Sequence, residues 1–91
     1  MAEFLDQKVE PELSPLNNMG KPLTTKARTE AYKHCLEMGL NSPRAWECVG
    51  GMAEQLERDE PYEAMAVGMR HLDLTGTYRV MAVLLATVGK P

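Results

Sequence analysis

Four side chains in this sequence have the chemistry to ligate a metal or attack an electrophile: His34, Cys35, Cys48 and His71. Four is also the number of ligands a structural zinc ion takes, but the spacing argues against such a site. His34 and Cys35 are adjacent, so on a helix they diverge by about 100°. The short paired spacings typical of zinc ligands are missing. The same divergence keeps His34 from activating Cys35, because a nucleophilic thiol needs a base within hydrogen-bond reach. Two buried thiols and two exposed imidazoles are the simpler expectation.

Acid–base chemistry would need paired carboxylates, and two groups come closest: Glu54 and Glu57 beside Arg58, and Asp59, Glu60 and Glu63. The first falls on an outward helix face, where charges are solvated, and the second suits a helix start through the dipole. Gly50 and Gly51 lack the following Lys and Ser or Thr, and the preceding strand, of a phosphate-binding loop. The residues therefore point to a protein that is not an enzyme and uses no cofactor or metal.

The elements that must position these side chains are helices. Residues 1–23 contain Pro11, Pro15, Pro22, the pair Asn17 and Asn18, and Gly20, which exclude a long regular element and predict a flexible acidic arm. Within it Phe4, Leu5, Val9, Leu13 and Leu16 recur every three or four positions, as in a segment that lies along a partner. From residue 24 to 91, start and stop signals mark out a helical domain. Thr24 or Thr25 can cap a helix over about 26–38, ended by Gly39. Its buried stripe reads Ala27, Ala31, Cys35 and Met38, widened by Tyr32 and Leu36. Ser42 and Pro43 open a second helix to about Arg58, with Ala45, Cys48, Val49, Met52 and Leu56 inward and Trp46 at the edge. Gly50 and Gly51 in its middle cost about 2 kcal/mol of propensity relative to alanine, a loss that packing must offset.

Asp59 or Glu60 before Pro61 opens a shorter helix ending near His71, with an apolar stripe of Tyr62, Met65, Ala66, Met69 and Leu72. Thr75 or Thr77 caps the last helix, and Gly89 and Pro91 stop it. Thr77 to Val88 has Arg79 as its only charge and apolar residues on every side, which predicts a central helix enclosed by the other three. The fold class expected is all-α: a small compact bundle of four helices with a flexible N-terminal arm.

Charge and length narrow the function. The 91-residue chain carries a net charge of −3, and beyond residue 23 nine acids face eight bases. No broad basic surface exists to displace counterions from a nucleic acid, so nucleic acid is a poor fit as partner. Twelve apolar residues fall short of the roughly twenty a membrane span needs, and no secretory signal opens the chain, so no membrane role and a cytoplasmic location are expected. What remains is a non-catalytic protein-binding module: an adaptor, small subunit or inhibitor that docks on a larger protein. Phe4, Leu5, Val9, Leu13, Trp46 and Tyr62 are the expected contacts, and a homodimer is a related possibility. Seven methionines, which adapt to irregular partners, fit the same reading. The alternative is a helix-turn-helix DNA-binding protein using helices 26–38 and 43–58, with Lys26, Arg28, Lys33 and Arg44 at the duplex.

Overall fold

The Thr24 hydroxyl accepts the Ala27 N–H at 3.0 Å and starts helix α1, Thr25–Glu37. Gly39 ends it at φ +103°, a left-handed conformation that costs glycine nothing, and Leu40 N–H turns back to the Cys35 carbonyl at 3.1 Å. This computed structural model describes residues 20–88, with side chains described for 20–86. Phe4, Leu5, Val9 and Leu13, and the stop signals Gly89 and Pro91, lie outside the described residues.

Helix α2, Ser42–Glu57, is capped by Asn41 rather than Ser42: the Asn41 side chain accepts Arg44 N–H at 3.1 Å. Pro43 has no N–H to offer, so the cap reaches the next amide, and Ser42 becomes the first helical residue. Helix α3 is Pro61–Gly68 and helix α4 is Leu74–Val88. The last helix thus begins before the threonine expected to cap it. Asp73 Oδ1 accepts Gly76 N–H at 2.7 Å, and the Asp73 carbonyl accepts both Thr77 N–H at 2.9 Å and the Thr77 hydroxyl at 2.8 Å. Thr77 is fully buried inside the first turn instead of standing at its entrance.

The four helices form an all-α bundle with no strand among the described residues. Contacts run α1 to α2, α2 to α3, α3 to α4 and α4 back to α1, with α4 touching α2 only slightly. The most enclosed helix is α2, which buries Ala45, Cys48, Val49, Met52, Ala53 and Leu56. The expectation of a central fourth helix is therefore corrected. Helix α4 buries Thr77, Val80, Leu84 and Leu85, while Tyr78, Arg79 and Ala82 face solvent. Its apolar residues outnumber those the bundle covers.

The stripe expected for α3 is also corrected. Tyr62 is 87% exposed and Met69 52%, whereas Ala64 and Gly68 are buried. Small residues win this face because α3 lies so close to α2 and α4. A Cβ at Gly68 would stand 2.5 Å from Thr77 Cγ2 and 2.9 Å from Met52 Sδ. One at Gly51 would stand 2.7 Å from Val67 Cγ1. This approach is what offsets the propensity lost at Gly51. Among the described residues, no atom beyond its own helix neighbourhood lies within 4 Å of a Cβ placed at Gly50.

Residues 20–23 belong to the packed body. Gly20 N–H reaches the Leu56 carbonyl at 2.9 Å, and the buried Leu23 donates its N–H to Glu57 Oε2 at 2.7 Å. The same oxygen takes Arg28 Nη2 at 2.9 Å, so one carboxylate ties the chain entrance, α1 and the end of α2 together.

Two glycine substitutions should therefore act in opposite directions. Gly50→Ala should raise unfolding free energy by up to about 1 kcal/mol, from helix propensity with no clash. Gly68→Ala should lower it by about 1–3 kcal/mol, since the new methyl displaces Met52 and Thr77. Urea denaturation of both variants checks the pair.

Candidate functional site

Helices α1 and α2 join at a four-residue turn, and near that turn Tyr32 meets Trp46. The rings stack with centroids 4.0 Å apart and planes within 10°. Tyr32 Oη and Ser42 Oγ share a hydrogen bond of 2.9 Å, which fixes the tyrosine from its far end. Such stacking adds about 0.5–1.5 kcal/mol beyond the area covered. Trp46 is nonetheless 46% exposed, so an ordered indole faces outward on a rigid support. Tyr62, at the start of α3, projects almost entirely into solvent with no comparable support. Leu36, Met69, Leu74 and Tyr78 are the other large apolar side chains exposed among the described residues.

The basic residues considered for DNA have prior engagements. Arg28 is paired with Glu57, and Lys33 Nζ lies 3.6 Å from Glu30 Oε2. Arg44 Nη2 reaches across to the end of α3, 3.4 Å from the Arg70 carbonyl and 3.3 Å from His71 Nδ1. Lys26 stands exposed, without a hydrogen bond or ion pair among the described residues. Of the carboxylates weighed for acid–base work, Glu54 pairs with Arg58 at 2.9 Å and Glu57 holds the entrance of the chain. Those contacts are structural in kind.

Cys35 and Cys48 face each other across α1 and α2, both fully buried. The neighbouring Cys48 lowers Cys35 against the opposing effect of burial, and Cys35 raises Cys48 far above the ordinary thiol range, with burial adding to the rise. Cys48 Sγ also sits 3.8 Å from Met52 Sδ. The imidazoles are half-buried rather than exposed. His34 Nδ1 lies 3.8 Å from Glu37 Oε1 without a hydrogen bond, and His71 joins Arg44. Among the described residues no three His, Cys, Asp or Glu side chains gather to hold a metal ion. No helix among them is long and apolar enough to cross a membrane.

A separate cleft of about 400 Å³ opens where the α3–α4 turn meets the end of α1, lined by Met38, His71, Leu72, Asp73, Thr75, Gly76 and Arg79. Spacing along the chain did not suggest it, because the lining comes from three segments. Tyr32 was likewise visible only as a core residue, since its pairing with Trp46 depends on how α1 and α2 cross.

The chain matches no known protein family, no curated protein and no solved structure. Its function is argued from these residues alone.

Burial should govern the thiols. Iodoacetamide is expected to leave Cys35 and Cys48 unlabelled in the native protein and to label both in denaturant, as read by intact mass.

Proposed function

We propose that the protein is a non-catalytic binding module, an adaptor, small subunit or inhibitor, that docks on a larger protein through aromatic side chains held on its helices. The observation that carries this reading is the Trp46 indole, nearly half exposed and yet stacked on Tyr32, whose hydroxyl is in turn hydrogen-bonded to Ser42. Burying a large side chain that is already fixed avoids the rotamer entropy usually lost on association. Aromatic anchors of this kind dominate interface energetics. Tyr62 is the second anchor, and Phe4, Leu5, Val9 and Leu13 supply further apolar contact. A cytoplasmic setting and self-association belong to the same reading.

The alternative, a DNA-binding helix-turn-helix, needs Lys26, Arg28, Lys33 and Arg44 free to meet phosphates and bases. Three of the four already hold intramolecular partners, and Trp46 and Glu47 flank Arg44 on the helix that would read bases. These contacts favour the protein-docking reading.

Affinity purification of the full chain, compared with Trp46→Ala and Tyr62→Ser, tests the proposal. A stoichiometric partner that rebinds when purified, weakened about ten-fold or more by Trp46→Ala, is expected. Tyr62→Ser should weaken capture while leaving the melting temperature unchanged, because its side chain contributes almost nothing to the core. No such partner, or one retained equally by both variants, overturns the reading.

A further inference from the structure

The cleft between the α3–α4 turn and the end of α1 has the size and chemistry of a small-ligand site. Its volume of about 400 Å³ falls within the range of ligand pockets, roughly 300–1,000 Å³. One wall is apolar, from Met38 and Leu72, and the rest is polar, from His71, Asp73, Thr75 and Arg79. The question is which of these polar groups remains free to bind.

Asp73 is committed. Its side chain accepts Gly76 N–H and its carbonyl accepts the Thr77 amide and hydroxyl. The first turn of α4 is thereby capped from within, so the helix terminus is not the source of affinity. His71 is half committed. Arg44 Nη2 can only donate, so at 3.3 Å it makes His71 Nδ1 the acceptor and leaves Nε2–H as the ring's donor. Arg79 is the uncommitted group: it has no hydrogen bond or ion pair among the described residues, although it lines the cleft one turn beyond Thr75. The Asp73 carboxylate keeps its charge and its second oxygen, so Arg79 offsets that charge within the lining and the positive balance comes from its surroundings. Arg44 and Arg70 at the same corner add positive charge in a chain whose net charge is −3.

We propose that this cleft binds a small organic carboxylate. Its anionic group lies against the Arg79 guanidinium, with Thr75 and His71 as neutral donors, and its apolar body rests on Met38 and Leu72. The planar fork of arginine matches a carboxylate in a two-point contact that lysine cannot reproduce. The apolar wall explains why an inorganic anion would leave the cleft partly unfilled. This site is independent of the docking surface around Trp46 and does not require a protein partner.

Titration of the ¹⁵N-labelled full chain with benzoate, and separately with the neutral isostere benzamide, tests the proposal by amide chemical shifts. Benzoate should shift Leu72, Thr75, Gly76 and Arg79 saturably, with a dissociation constant of about 1 mM or tighter, as fits a ligand of that size. Benzamide should bind at least about ten-fold more weakly. Arg79→Ala, on an exposed position that leaves the helix intact, should weaken benzoate by about ten-fold or more, and Arg79→Lys should restore only part of the loss. Arg70→Ala, outside the cleft lining, removes the same charge and should weaken benzoate clearly less than Arg79→Ala does, which separates a fitted contact from general positive charge. The proposal is overturned if benzoate does not saturate, if benzamide binds as well, or if Arg79→Ala binds like the wild type.

Discussion

Helices α2, α3 and α4 meet at Met52, and the arrangement depends on how little room surrounds it. Its side chain is fully buried on α2. Its sulfur lies 3.8 Å from Cys48 Sγ, which in turn meets Cys35 on α1. On the other side it presses on the face of Gly68 in α3, where Thr77 of α4 also arrives. A flexible, unbranched side chain can fill such an irregular space where a branched one would clash. Small residues make up much of the rest of the core: Ala27, Ala31, Ala45, Ala53 and Ala64 are all fully buried. A chain this short gains its core by bringing helices close together rather than by stacking layers of bulky side chains.

That constraint explains which parts of the fold could be read from the sequence. In helices α1 and α2, Ala27, Ala31, Cys35, Ala45, Cys48, Val49, Met52 and Leu56 are buried as their periodicity implies, but Leu36, expected to widen the α1 stripe, is 40% exposed. Helix α3 departs from its periodicity. There the largest apolar residues, Tyr62 and Met69, point outward and Ala64 and Gly68 point inward, because the volume left beside Met52 admits only a small group. Hydrophobicity alone cannot signal a position selected for smallness. Helix α4 failed for a related reason: apolar residues around its whole girth suggested enclosure, yet only Thr77, Val80, Leu84 and Leu85 find neighbours that bury them. The start of α4 was misread at Asp73, whose side chain and carbonyl together do the work assigned to a threonine.

The candidate site was legible in its residue types but not in its geometry. Trp46 and Tyr62 stand out in the sequence as amphipathic anchors, and the structure leaves both exposed. What distinguishes them is a neighbour. Trp46 owes its fixed position to Tyr32, fourteen residues earlier on the adjacent helix, and to Ser42 behind it. Phe4, Leu5, Val9 and Leu13 lie outside the described residues, so the structure adds nothing to their reading. The cleft at the α3–α4 corner draws on α1, a turn and α4, and no local pattern encodes a meeting of three segments.

Core and surface are therefore coupled through side-chain size. Because alanine, glycine and cysteine take many of the interior positions, six large apolar side chains among the described residues are left on the outside, at Leu36, Trp46, Tyr62, Met69, Leu74 and Tyr78. Burying a residue of that size stabilises by about 1.5–3 kcal/mol. These positions forgo that gain within the isolated chain, and an association that covered them would recover part of it. The polar groups show the opposite economy. Glu57 satisfies Leu23 and Arg28 at once, Asp73 closes a helix turn, and Arg44 spans α2 to α3, so most charges near the packed body already have partners. Arg79, at the edge of the cleft, and Lys26 on α1 depart from that pattern: neither has a hydrogen bond or ion pair among the described residues.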